Sequence, residues 1–283
     1  MIVEIKKAHP YYKTSELCQI FALAISSHYY HVNKEESSEN KVIIDSIKRL
    51  DVEHKHAYGK RRIKHELNEE GIEIDLYKVA HLMKVAKVVA IRPKKRHSYP
   101  AGEAHKKAAN LLQRQFNPNT LHTHWVGDIT YIKTHAGWSY LACVLDLGSR
   151  EIMGWALSET PDAALAKSAL QHAVCKHQPD TKTLMFHSDQ GVQYSANKFV
   201  HYLDKLLITQ SMNRRENCWG NAVMERFFRS MKTERLNPLS FINHQAVVTI
   251  IESYLRYYNY KRIHSAIDYQ TPHQRTQELK KVA

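Results

Sequence analysis

Over the first ninety positions apolar residues recur at three- and four-residue intervals, the spacing that gathers them on one face of a helix. Leu17, Ile20, Phe21 and Leu23 follow Ser15, which can cap a helix, and Val42, Ile43, Ile47 and Leu50 repeat the pattern. A second unit runs from Gly59 through Arg61-Arg62-Ile63-Lys64-His65-Glu66-Leu67 to a break at Gly71. A further helix is predicted from Leu76 to Val89, with Val79, Leu82, Met83 and Ala86 along its apolar side. Two short helices joined by a glycine-containing turn suit a helix-turn-helix whose second helix can enter a major groove. An ordinary helical hairpin has the same pattern, so both readings stand on these residues alone.

From about Leu121 the period changes. Trp125 to Ile132, Ser139 to Leu147 and Ile152 to Leu157 are rich in β-branched, aromatic and aliphatic residues, with turn signals at Ala136-Gly137 and Gly148-Ser149. They predict a three-stranded antiparallel meander. Pro161-Asp162 opens a helix ending near His177, and Thr183 to Phe186 forms a short strand. Asn197 to Leu207 is a helix leading into a strand at Leu207 to Ser211, and Asn221 to Arg235 and Gln245 to Tyr257 are helical. The result is a mixed α/β layer pattern. It divides the chain into a helical region over 1–90, a linker over 91–120 and an α/β region over 121–283.

Charge narrows the partner. The 283 residues carry 41 Lys and Arg against 28 acids, a formal net charge of +13, which favours a polyanion because each neutralised phosphate releases counterions. From Lys84 to Lys107 the only acid among the basic residues is Glu103, and Pro93 and Pro100 interrupt the run. Lys94, Lys95 and Arg96 there can lie along phosphates, or form a solvated connector without a ligand. The four cysteines, Cys18, Cys143, Cys175 and Cys218, make no Cys-x-x-Cys pair, which argues against a zinc ribbon and for a reducing compartment. Neither a signal peptide nor an apolar run of roughly 18 residues is present, so a cytoplasmic protein without a membrane partner is expected.

The chemistry rests on three acids. Asp128 lies mid-strand in Trp125-Val126-Gly127-Asp128-Ile129-Thr130, where alternation puts it on one face with Val126, Thr130 and Ile132. A carboxylate in such company is costly unless it is paired or binds metal. Asp189 follows a strand in His187-Ser188-Asp189-Gln190-Gly191, where α/β proteins commonly place catalytic groups. Glu225 is on a later helix, one turn after Asn221 and two turns before Lys232, so all three share a face. Hard divalent cations prefer carboxylate oxygens, and two such ions roughly 3.5–4 Å apart can assist in-line phosphoryl displacement. Asp146 also ends a strand beside this region; it is expected to be structural, pairing with Arg150. His187 and Gln190 either touch substrate or stabilise the turn. Arg262 and His264 are expected to pack the C-terminal helix.

The segments Trp125 to Tyr131, His187-Ser188-Asp189-Gln190-Gly191-Val192-Gln193-Tyr194 and Asn221-Ala222-Val223-Met224-Glu225-Arg226-Phe227-Phe228 resemble the integrase core of bacterial insertion-sequence transposases. The likeness is to the IS-three group, specifically the product of its second reading frame (OrfB). Val144-Leu145-Asp146-Leu147, Gly154-Trp155-Ala156, the tail Tyr258-Asn259-Tyr260-Lys261-Arg262-Ile263-His264 and Thr271-Pro272 fit the same pattern. The resemblance implies a ribonuclease-H-like core of five mixed strands with flanking helices, preceded by a helix-turn-helix-like DNA-binding region. Asp128, Asp189 and Glu225 would be catalytic and would hold Mg²⁺ or Mn²⁺, two ions. Lys232 would contact DNA near the cut, with Asn221, His187, Gln190, Arg61, Arg62, Lys94, Lys95 and Arg96 as further DNA contacts.

The implied activity is metal-dependent 3′-end cleavage and strand transfer. Its partners would be double-stranded DNA, as terminal repeats and as target, and the first-frame product or a fusion with it. The protein would oligomerise on DNA and associate with the nucleoid when bound. Two positions depart from the family pattern: Gly220 stands where an acid is usual and Glu216 where a glycine is usual. A weakened enzyme acting as a DNA-binding regulator of transposition is the alternative. A nuclease for RNA–DNA hybrids is disfavoured by the separate helical half, since such hybrids are read by shape.

Overall fold

A computed structural model describes residues 1–32, 38–92, 108–112, 116–213 and 221–282. The expected phosphate contacts Lys94, Lys95 and Arg96, and the departures Glu216 and Gly220, lie outside the described residues.

The β-branched and aromatic runs pair as the turn signals require. β1 (His124–Thr134) is antiparallel to β2 (Gly137–Asp146), which is antiparallel to β3 (Ile152–Ser158). Two further strands, β4 (Met185–Ser188) and β5 (Thr209–Met212), join in parallel on the other side of β1. The order β3-β2-β1-β4-β5 puts β1 at the centre of a mixed five-stranded sheet, the ribonuclease-H-like plan expected. β4 starts later than its sequence predicts, because Thr183 is captured by an Asp180 turn, its Oγ1 donating to the Asp180 carbonyl at 3.1 Å. The strand then continues to Ser188, so Asp189 emerges directly from the ladder.

Both faces of the sheet are covered. Helix α7 (Ala163–His177), capped by Asp162 as the sequence predicts, the one-turn α8 (Val192–Ser195) and α9 (Asn197–Lys205) bury Leu165, Leu170, Tyr194, Phe199 and Leu203 against Trp125, Val144 and Phe186. Gly154 lets α7 sit this close: a Cβ there would lie 2.4 Å from the Ala169 carbonyl oxygen. On the opposite face α10 (Ala222–Met231) and α11 (His244–Tyr260) pack Met224, Phe227, Ile251 and Tyr254 on Val126, Cys143 and Leu145. Helix α10 does not run on to Arg235 as one α-helix; Lys232–Leu236 form a π-turn. That turn includes Glu234, which accepts from the Arg262 Nε at 2.9 Å and from the Tyr254 hydroxyl at 2.9 Å.

In the N-terminal half, α1 (Ile2–Ala8), α2 (Thr14–Ile20) and α3 (Ile25–Val32) precede three longer-range packed helices. The α2 cap is at Lys13, whose N–H donates to Glu16, and not at Ser15. The packed helices are α4 (Ser38–Glu53), α5 (Lys60–Glu69) and α6 (Leu76–Val85), with Ile47, Leu50, Ile63, Leu67, Val79 and Leu82 as their core. Val42 points outward, 63% exposed. Helix α6 stops short of Val89: Lys87 takes a left-handed φ of 56°, and the Val88 N–H turns back to the Met83 carbonyl at 2.9 Å, which closes the C-terminus. The turn between α5 and α6 contains Gly71 at φ 82°, as the break predicts.

The tail motif holds the two halves together. Asn259 exchanges two hydrogen bonds with the Ile152 backbone at 3.0 Å each, covering the edge strand β3. Tyr258 is in the sheet-side core, whereas Ile263 is buried among α4–α6 and its N–H donates to the Tyr58 hydroxyl at 2.9 Å. A last helix, α12 (Pro272–Val282), follows, its start fixed by Thr271 and Gln274 bonding each other's backbone. Among the described residues no helix is long and apolar enough to cross a membrane.

Candidate active site

Asp128 sits on central strand β1, opposite Cys143 of β2. The strand can reach this position only because residue 127 is glycine: a Cβ there would fall 2.3 Å from the Phe186 ring. Asp128 is half-buried, and its Oδ1 accepts from the Ile129 N–H at 2.8 Å. Burial first, then Asp189 and Glu225, push its carboxyl up to about 8 against the Ile129 N–H and Lys232, which hold it down. Burial and like charge act together here, since each additional anion disfavours the charged form. Acids from β1, the end of β4 and α10 thus share one electrostatic neighbourhood with a lysine from the π-turn.

Each partner is held differently. The Asp189 Oδ1 accepts from the Gly191 N–H at 2.9 Å, fixing the tight turn that leaves β4. His187 is wholly buried, with ring nitrogens 2.8 Å from Ser211 Oγ and 2.8 Å from Asn213 Oδ1, and the Gln190 Nε2 donates to the Asn213 carbonyl at 2.8 Å. These two side chains tie the end of β4 to the end of β5 beneath Asp189. Asn221, 4% exposed, donates to the Gly127 carbonyl at 3.5 Å across the start of α10. Glu225 is exposed on the first turn of α10, and Lys232 is half-buried at the head of the π-turn. Arg61 is exposed on α5, whereas Arg62 turns inward, its guanidinium 5.2 Å from the centre of the Tyr58 ring.

Asp146 plays no part in this cluster. Its Oδ1 accepts from the Ser149 N–H at 2.8 Å and Oγ at 3.0 Å, and its Oδ2 from the His122 N–H at 2.9 Å, so it is structural as expected. The expected pairing with Arg150 is not formed; Arg150 donates to Asn117 instead, because the Asp146 oxygens are already used by the turn. Two members of the site floor, Cys143 and Tyr194, come from the fold alone. Tyr194 is 3% exposed, and its phenol is raised by burial and by the charges of Asp128 and Asp189. The cross-strand register that places Cys143 beside Asp128 leaves no mark in the local sequence.

A donor set of carboxylates suits a hard cation, which would offset the burial and the like charges that raise Asp128. Among the described residues no three His, Cys, Asp or Glu side chains lie close enough to hold one ion together. The exposed Glu225 is the member with room to move.

Comparison with known proteins identifies the family. An integrase core domain matches residues 118–218, a second integrase core model matches 206–272, and an HTH-like domain matches 37–96. The chain is 34% identical over 237 residues to the transposase for insertion sequence element IS904 of Lactococcus lactis, covering 83% of this chain and 93% of that protein. The chain belongs to the bacterial insertion-sequence transposases of the IS-three group. The transposase is likewise 32% identical to the transposase InsF for insertion sequence IS3A of Escherichia coli, over 75% of this chain and 74% of that one. With the IS600 31 kDa protein of Shigella sonnei the identity is 32%, over 89% and 94%. Among solved structures, the HTLV-2 integrase catalytic core domain in complex with magnesium aligns with 55% of the transposase and 96% of its own chain, at 17% identity and a TM-score of 0.43.

Proposed function

We propose that this transposase cleaves the ends of its element to free 3′-hydroxyls and joins them to target DNA, with Asp128, Asp189 and Glu225 as the metal-holding acids. The observation that carries the proposal is the Asp128 carboxyl, pushed up to about 8 by burial and by two acids from separate elements. Strongly perturbed acids of this kind concentrate at functional sites. Bound Mg²⁺ or Mn²⁺, as a pair of ions, would activate the attacking oxygen and stabilise the leaving one.

The chain's own residues would do the rest. In the first step the oxygen of water attacks phosphorus and the 3′ oxygen of the element end leaves as a hydroxyl. In the second that hydroxyl oxygen attacks a target phosphodiester and displaces the target's own 3′ oxygen, so one phosphodiester replaces another. Gly127 and the Ile129 N–H fix the Asp128 carboxylate. The His187 and Gln190 contacts to β5 fix the turn bearing Asp189, and Asn221 fixes the start of the helix bearing Glu225. Lys232 neutralises part of the charge that DNA brings to this cluster. Burial of His187 and Asn221 favours positioning over direct DNA contact. The helix-turn-helix-like region over 1–90, with Arg61, and the linker over 91–120, with Lys94, Lys95 and Arg96, would hold duplex DNA. Assembly with the first-frame product into an oligomer on DNA, at the nucleoid, completes this reading.

The test compares wild type with Glu225→Gln on end-labelled duplexes carrying the element's terminal repeats. Divalent-metal-dependent cutting and joining is expected for wild type. The variant is expected to fall by about 10³-fold or more, because one charge-stabilising group alone is worth roughly that. Equal cutting by both proteins would overturn the assignment, and binding without cutting by wild type would support the regulator instead.

A further inference from the structure

Beside the acidic cluster, along α10, lies a second concave site. A cavity of about 260 Å³ is lined by Arg62 of α5, Arg226 and Arg229 of α10, Thr233 and Glu234 of the π-turn, and Arg262 of the tail. Arg262 is matched by Glu234, which it engages through Nε and through Nη2 at 2.6 Å. Among the described residues no carboxylate lies within ion-pair distance of Arg62, Arg226 or Arg229. Four guanidinium groups and one carboxylate leave the cavity three positive charges in excess. Solvent screens the exposed Arg226 and Arg229, but the inward-turned Arg62 and buried Arg262 repel each other across less water, and an entering anion would offset that repulsion.

The position of the cavity says which anion. Arg226 and Arg229 are three residues apart and Glu225 and Arg229 four, so Arg229 stands between the cavity and the acid on α10. The cavity is thus within about one helix diameter, ~10–12 Å, of the acidic cluster. Its opposite wall is Arg62, from the first helix of the HTH-like unit, which faces this cavity and not the outer surface of that unit. We propose that the cavity seats a backbone phosphate of the bound DNA, clamped between α5 and α10. The planar, multiply donating guanidinium is the group best suited to a phosphate. Seating it would neutralise the mutual repulsion of Arg62 and Arg262 and lock the DNA-reading unit against the helix bearing Glu225. This rests on the strand-transfer reading above and adds a subsite to it.

The experiment measures binding of the full chain to a labelled random-sequence duplex by fluorescence anisotropy, in chelator, across about 50–200 mM salt. Each lost phosphate contact lowers the slope of log affinity against log salt by about 0.9. Arg229→Gln is expected to lower it by up to one contact and Arg62→Gln with Arg229→Gln by about one in all, since the seat holds a single phosphate, while Arg229→Lys stays near wild type. Lys176→Gln, on α7 across the sheet, serves as the reference for removing a single charge elsewhere. Arg229 is exposed, so its variant folds even if Arg62→Gln loosens the Tyr58 contact.

Slopes for the Arg229 variants no different from that of Lys176→Gln would overturn the proposal. So would a thermal midpoint raised by inorganic phosphate in wild type but not in Arg229→Gln, with DNA slopes unchanged, which would make the cavity a site for free phosphate. Failure of wild type to cut and join terminal-repeat DNA with divalent metal would refute the strand-transfer reading, while a normal slope in Arg229→Gln would refute the phosphate seat alone.

Discussion

Asp128→Asn removes a carboxyl that the folded protein can bury at neutral pH only by taking up a proton. The carboxyl is near 3.9 in an unfolded chain and about 8 in the folded one. Between these values the folded state binds more protons than the unfolded, so stability falls as pH rises from about 4 to about 8. At pH 7 the difference of about three units corresponds to ~4 kcal/mol at face value, from ~1.4 kcal/mol per unit. The side chain is only half-buried, and solvent at its rim screens the neighbouring acids, so about 2 kcal/mol is the working figure. Asparagine is nearly isosteric and its Oδ1 can keep the Ile129 N–H bond.

The variant is therefore expected to be more stable than wild type at neutral pH in chelator. Its thermal midpoint should rise by roughly 4–8 °C, at 2–4 °C per kcal/mol for a chain of this size. The gain should shrink towards zero near and below pH 4, where the unfolded chain takes up the same proton. Added Mg²⁺ should reverse the order, stabilising wild type by ligand linkage and the variant much less. Scanning calorimetry or a dye-based melt at several pH values provides the assay. An Asp128→Asn protein that is no more stable than wild type at pH 7, or equally stabilised at low and neutral pH, would refute the claim that Asp128 is electrostatically strained.

Two other substitutions probe what holds the site. Gly127→Ala places a Cβ 2.3 Å from the Phe186 ring and should cost about 1–3 kcal/mol by overpacking, read as a lower denaturation midpoint; an unchanged midpoint would mean β1 and β4 are not so tightly apposed. Arg262→Met strands Glu234 in a buried position and should cost about 3–5 kcal/mol, whereas adding Glu234→Gln should recover much of the loss; a single variant as stable as wild type would deny the pair its role in the π-turn.

Much of the architecture was legible in the chain. The meander, the Asp162-capped helix and the break at Gly71 follow from β-branched runs, a capping residue and a glycine, all of which act over a few neighbours. Element ends were less legible. The helix ending at Val85 and the strand displaced to Met185 were settled by a left-handed lysine and by an Asp180 turn that compete with local propensity. The π-turn after α10 could not be read at all, because its residue Glu234 is engaged by Arg262 and Tyr254 of later elements.

The three acids could be named from the sequence as candidates. Their influence on one another could not. Asp128 and Glu225 are nearly a hundred residues apart, and their mutual influence exists only because β1 is central and α10 packs over its face. The same holds for the arginine cavity, assembled from α5, α10 and the tail, and for Cys143 and Tyr194 under the site. Local patterning decides which segments become strands and helices. Which charges then face one another depends on long-range packing, where distance and burial set the energy.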